Sequence, residues 1–198
     1  MNTLVMIIRE IIDILFYIVS LLPGRSGAII RRVIIKILVK KCGKNLKTEF
    51  GLIITGFKNI TFGNNCNFMR HCSFNSDGEG EIIFGNNVNV NYNVNFNSSI
   101  KGFIKIGDNF LCGPNTVFRT SNHIFSNKSL NINEQGHSSG KIIIGNNVWI
   151  GSNCVILKNV HIGNNSIIGA GSIIRKNVKE NEIITGLDPV KYKKTKYK

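Results

Sequence analysis

The stretch IGNNVWIGSNCVILKNVHIGNNSIIGAGSIIRKNV, residues 144–178, decides the fold. Ile144, Ile150, Ile156, Ile162, Ile168 and Ile174 recur at every sixth position. Four places after each comes a small or β-branched residue: Val148, Cys154, Val160, Ser166, Ser172 and Val178. A period of six belongs neither to a helix nor to an ordinary hairpin sheet. It fits short strands joined by tight turns, three strands to a triangular coil. Coils stacked on one another bury a continuous apolar column and pair their strands with the coils above and below. So strict a period is foreign to a β-sandwich.

The register extends upstream with interruptions. Phe62/Cys66, Phe68/Cys72, Phe84/Val88, Val90/Val94, Ile106/Phe110 and Cys112/Thr116 all obey the two-site pattern. Phe74, Phe96 and Phe118 stand at the first site as well and call for a wider column there. The spacings 62 to 84 and 84 to 106 are both 22 residues, three hexapeptides plus a small insertion. GNN at 63–65, 85–87, 145–147 and 163–165 supplies corner residues that tolerate positive φ. One long break remains, RTSNHIFSNKSLNINEQGHSSGK (119–141), polar and without the repeat. It is expected to loop out of the column, where a rigid scaffold usually carries its chemistry.

Residues 1–45 read differently. Arg9, Asp13, Tyr17 and Ser20 form a narrow polar stripe on an otherwise apolar helix, which Pro23-Gly24 breaks. Ser26 is the expected cap of a second helix, in which Arg32, Lys36 and Lys40 make a basic stripe among isoleucines. A basic amphipathic helix beside a very apolar one reads as attachment to a membrane surface. The competing reading packs both helices on the β-helix or on another subunit. Charges interrupt both segments, and the longest uncharged run, 14–24, is too short to span a bilayer. A signal peptide is not expected either, for want of a basic start and a clean apolar run. Three parts follow: helices over 1–45, a β-helix over 46–186 with its excursion at 119–141, and a basic tail at 187–198.

The formal charge of +14 is concentrated at the ends. Residues 1–48 carry nine Lys/Arg against two acids, +7, and 175–198 carry eight against three, +5. The nearly neutral middle contains no nucleic-acid module, so nucleic-acid binding is not expected. Five cysteines without paired spacing suggest neither a disulfide framework nor a zinc site. Cys66, Cys72, Cys112 and Cys154 fall on inward positions of the repeat and read as small buried thiols, suited to a reducing compartment.

NNVWIG, IGAGS and the NFN of 95–97 followed by a loop histidine resemble the hexapeptide-repeat acyltransferases, nearest their galactoside and maltose acetyltransferase branch. The resemblance covers about residues 60–190. The helices ahead of it look more like those of O-acetyltransferases serving bacterial capsule and O-antigen. It implies a left-handed parallel β-helix, an exception to the usual crossover hand, and a homotrimer with active sites between subunits. It also implies acetyl-CoA as co-substrate and no metal, with a sugar or polysaccharide hydroxyl as acceptor. The implied location is cytoplasmic, peripheral at the inner face of the membrane.

Carried over by motif, His123 in SNHIF matches the loop base. A neutral imidazole is suited to taking the hydroxyl proton during attack on a thioester. His137, in the same excursion, is its rival, whereas His71 and His161 fall within intact repeats. Asn95 matches the acceptor-contacting asparagine, and Glu134 is a candidate to orient the imidazole or bind acceptor. For acetyl-CoA the matches are Trp149, Ser152, Gly169, Ala170 and Gly171. Arg175, Lys176, Lys191 and Lys194 offer charge for the CoA phosphates. Repeat packing alone would also demand the glycines and Ala170. The alternative function is N-acetylation of an amino-sugar nucleotide on the same scaffold. Serine acetylation lacks its helical domain here, a β-helix carbonic anhydrase lacks its closely spaced histidines, and an inert scaffold would not need His123, Asn95 and Trp149.

Overall fold

The computed structural model describes residues 3–186 and the backbone of 192–194. Two helices lead, α1 (Thr3–Ser20) and α2 (Gly24–Leu38), and a parallel β-solenoid of six coils follows. In each coil three short strands lie on three faces. The fifth coil, for instance, runs Lys141–Ile144, Trp149–Ile150, Val155–Leu157. Strands of equivalent position stack in parallel register, so that Ile104 pairs with Ile82 below and Ile142 above. Residues of one hexapeptide position therefore form straight rows along each face.

The column is the one read from the periodicity. The six isoleucines of the period, Ile144 to Ile174, and their six partners, Val148 to Val178, are buried, as are all the upstream pairs. The phenylalanines concentrate in the second to fourth coils, where Phe62 stacks on Phe84 and Phe96 on Phe118, centroids 5.4 and 4.5 Å apart. Tight packing of rings in offset or edge-on pairs fills the wider cross-section. At the corners Asn65, Asn87, Asn147 and Asn165 all take positive φ, 55–57°. Their amides also bond along the stack, from Asn45 to Asn65, Asn87 and Asn109 at 2.9–3.0 Å. The corner asparagines thus serve twice, as turn formers and as rungs of a ladder.

Two features of the N-terminus differ from the sequence reading, and a third bears on its competing readings of the helices. The solenoid starts at Lys41–Cys42, which pair with Thr61 and Phe62, so a boundary at 45 cuts through the first coil. Pro23, with extended backbone, occupies the N-cap of α2, and Ser26 lies inside the helix. Proline suits that place because the first-turn N–H groups have no helical partner in any case. Finally, the helices are packed by one face each. Phe16, Ile35 and Val39 join the core and close the open end of the column, Phe16 meeting Phe57 edge-on at 5.0 Å. Arg31 is 1% exposed and belongs to no surface stripe: its guanidinium donates to the carbonyls of Ser20 (3.4 Å), Leu22 (2.5 Å) and Thr48 (2.9 Å). It ties the end of α1, the interhelical turn and the first coil together.

Candidate active site

Extra residues accumulate at one corner of the triangle, between the third face and the first. The lower coils place a 3-10 turn there (Phe57–Asn59) and short insertions at 76–80 and 98–102. Above the fourth coil the same corner releases the excursion, which folds into an antiparallel ribbon, Ser121–His123 against His137–Ser139. Its base is fixed to the scaffold: the Thr120 hydroxyl and N–H donate to Asn97 O at 3.0 and 3.1 Å, and Gly140 N–H donates to Thr120 O at 2.8 Å. Lys158, from the corner above, donates from Nζ to Ser138 Oγ and O at 2.5 and 3.1 Å. The ribbon is thus held at both strands.

His123 and His137 are directly opposed across this ribbon, with ring centroids 4.0 Å apart and planes inclined by 41°. Both are exposed. The two candidates for the base are therefore one pair of adjacent imidazoles, presented outside the core. A neutral imidazole there can accept a proton from a bound hydroxyl, and its neighbour can hold the acceptor by a hydrogen bond. His71 and His161 stand on the surface of intact coils; His71 sits at a positive-φ corner with its ring on Phe50.

The asparagines of NFN separate. Asn95 opens its strand and donates from Nδ2 to Ser73 Oγ at 2.5 Å, pairing along the face with Ser73 and Val117. Asn97 closes the strand, pairs with Arg119, and lies at the foot of the ribbon. Two residues of strand, roughly 6.6 Å, separate them. The sequence reading passed over Asn97, because strand alternation points both outward and only the stacking register tells which end meets the excursion. Glu134 is occupied elsewhere: it accepts from Asn131 N–H at 3.1 Å in a capping box at the tip of the loop. Among the described contacts nothing joins it to either imidazole.

The residues expected to hold acetyl-CoA fall on two edges. Trp149 is half exposed on the second face, between Leu111 and Ile167 in its row, over a shallow groove of about 240 Å³ with Asn67 and Asn89. Ser152 and the Gly169–Gly171 turn stack at the corner between second and third faces, Gly171 N–H donating to Ser152 O at 2.8 Å. Ala170 is exposed, and Gly171 has φ +75° with nothing within 4 Å of a Cβ built on it. This low, open ledge fits a slender chain lying against backbone. A Cβ on Gly151 would come within 2.6 Å of Ala170 N, so that glycine is demanded by stacking alone. Arg175 and Lys176 are exposed on the other edge, the one from which the ribbon leaves. Lys191 lies outside the described residues. Lys194 is placed by backbone only, opposite Glu182 in an antiparallel pair beside the second face. The ribbon and the ledge thus occupy different corners of the cross-section.

Residues 141–176 match the family described as bacterial transferase hexapeptide (six repeats). Among solved structures, the chain is similar to a maltose O-acetyltransferase from Clostridium difficile 630, at 25% identity and TM-score 0.69, over 100% of this chain and 90% of that one. It is similar also to a galactoside acetyltransferase solved with coenzyme A, at 28% identity and TM-score 0.59, over 95% and 79% of the two chains. AntD, an N-acyltransferase from Bacillus cereus solved with dTDP and 3-hydroxybutyryl-CoA, shares the fold at 21% identity and TM-score 0.71, over 84% and 88%.

Proposed function

We propose that the protein is an O-acetyltransferase that moves an acetyl group from acetyl-CoA to a sugar hydroxyl of a bacterial surface polysaccharide or its precursor, working as a homotrimer. The observation that carries this reading is the opposed pair His123 and His137, held outside a hexapeptide-repeat scaffold on a ribbon whose foot, Thr120, bonds to the Asn97 carbonyl. The likeness to the maltose and galactoside acetyltransferases supports hydroxyl acceptors.

Acetyl-CoA supplies the activated acetyl thioester. The Ser152 to Gly171 ledge and Trp149 of one subunit would hold it, with Arg175 and Lys176 offering charge to its phosphates. The imidazole of His123 takes the proton of the acceptor hydroxyl as the oxygen attacks, and later returns it to the departing thiolate. No group of this chain needs to become covalently attached. Asn97 and His137 supply hydrogen bonds that orient the acceptor sugar. Because ledge and ribbon sit on different edges, the complete site requires the edge of one subunit against the ribbon of the next.

Single-turnover and steady-state assays with acetyl-CoA and a panel of hydroxyl and amino sugars test the reading. His123→Ala is expected to lower kcat by roughly 10²–10⁴ while leaving the fold intact. His137→Ala is expected to raise KM for the acceptor more than it lowers kcat. An inactive His137→Ala beside a normal His123→Ala would transfer the role of base to His137. Turnover confined to amino-sugar nucleotides would replace O- with N-acetylation.

A further inference from the structure

The outer face of α1 is unlike that of a helix on a soluble protein. Its inward sector contains Arg9, Asp13, Phe16 and Ser20, with Arg9 ion-paired to Asp77 on the second coil's insertion. Arg9, Asp13 and Ser20 of the polar stripe therefore face the protein beside Ile12, Phe16 and Val19, while Tyr17 and the remaining apolar residues face out. Leu4, Ile8, Ile11, Leu15 and Ile18 form one exposed row at alternating spacings of four and three. That spacing alone would suit a coiled-coil seam. The flanks decide against it. Ile7 and Ile14 widen the row on one side, where a coiled coil would carry charged residues. The resulting apolar arc is about 120° wide at 3.6 residues per turn, and Glu10 is the only charged residue on the exposed side.

α2 continues the pattern in a second form. Ile30, Val33 and Ile37 are exposed along one strip, Ile37 at 75%, and the neighbouring strip carries Arg25, Arg32 and Lys36. With Arg31 buried, α2 presents apolar and basic strips side by side, as a helix lying at a lipid–water boundary does. No described helix is long and apolar enough to cross a membrane, so the geometry is that of lying on one. From the apolar width, the adjoining cations and the inward-turned polar stripe, we infer that α1 and α2 seat the protein on an anionic lipid bilayer, the apolar strips in the acyl boundary and Arg25, Arg32 and Lys36 at the headgroups. The inference does not depend on the proposed reaction.

Flotation of the full chain with vesicles separates the possibilities. The protein is expected to float with phosphatidylcholine vesicles containing phosphatidylglycerol, and about tenfold less with phosphatidylcholine alone or at high salt. Ile11→Glu combined with Leu15→Glu changes two outward side chains and is expected to abolish flotation while leaving the sedimentation coefficient and circular dichroism unchanged. Arg32→Glu with Lys36→Glu is expected to remove the preference for anionic vesicles. A wild-type chain that stays at the bottom of the gradient with anionic vesicles in low salt overturns the inference. So does an Ile11→Glu/Leu15→Glu chain that falls apart into smaller assemblies, since a second copy would then be what covers the face.

Discussion

At the scale of the residue, the register of stacking sets apart the two asparagines of NFN. Asn95 and Asn97 are both outward, but Asn97 alone carries the foot of the ribbon through its carbonyl, and its Oδ1 takes Ser99 N–H and Oγ at 3.2 and 2.7 Å. Asn97→Ala is expected to raise KM for acceptor and lower kcat/KM by about tenfold or more, with Asn95→Ala changing stability more than turnover. Steady-state kinetics beside thermal melts distinguish the two. The cysteines give a second residue-level expectation. Burial pushes the Cys66 thiol up to about 11 and the Cys72 thiol to about 12, and raises those of Cys112 and Cys154. These thiols stay protonated and inert at pH 8, so a small alkylating agent should modify half-buried Cys42 at most until denaturant releases all five. The sign for stability follows: the folded chain holds these protons to higher pH than the unfolded one, so their contribution is full below about pH 9 and is lost as pH rises toward 11 and 12. Denaturation midpoints that rise between pH 9 and 11 would contradict it.

At the scale of the element, the solenoid was legible because its signal is redundant: six isoleucines and six partners say the same thing, and the GNN corners agree with them. The excursion was equally legible as a gap in that rhythm, and its ribbon brings together the two histidines that spacing alone had set in competition. The helices were legible as helices but not in orientation. Nothing in the order of residues says that Arg31 turns inward to three carbonyls, or that Asp77, 68 residues beyond Arg9, turns the polar stripe of α1 toward the solenoid. Ser26 looked like a cap because serine is a good one; Pro23 won because the chain is extended there and its missing N–H costs nothing. Two substitutions test these anchors. Arg31→Ala leaves buried carbonyls without a donor and is expected to cost about 3 kcal/mol in chemical denaturation, with Arg31→Lys recovering only part, since it lacks the fork. Lys158→Met removes the clamp on Ser138 and is expected to lower kcat by about tenfold while the melting temperature changes little, because the ribbon stands outside the core.

At the scale of the whole molecule, the closing of the column by Phe16, Ile35 and Val39 means that the helices are part of the fold as well as a candidate lipid contact. Removing residues 1–45 would uncover the core end and delete the first strand, so the outward-face variants are the cleaner tests of seating. The same view of the molecule gives the proposed chemistry a need for contact between subunits, which the proposed trimer would supply. A triangular prism has its ribbon at the corner between third and first faces and its Gly169–Gly171 ledge at the corner between second and third. A threefold arrangement sets one corner of each subunit against a different corner of the next, a heterologous contact that closes on itself. Ribbon-dead chains (His123→Ala) and ledge-blocked chains (Ala170→Tyr) should each assemble as inactive trimers. Co-expressed in equal amounts they mix, and every mixed trimer contains one interface that joins an intact ribbon to an intact ledge. Random assembly makes three quarters of the trimers mixed, each with one working site of three, so about a quarter of wild-type activity should return. Sedimentation equilibrium checks the size of three chains, and the recovered activity checks the sharing. A mixture as inactive as its two parents would mean that each chain holds its own complete site.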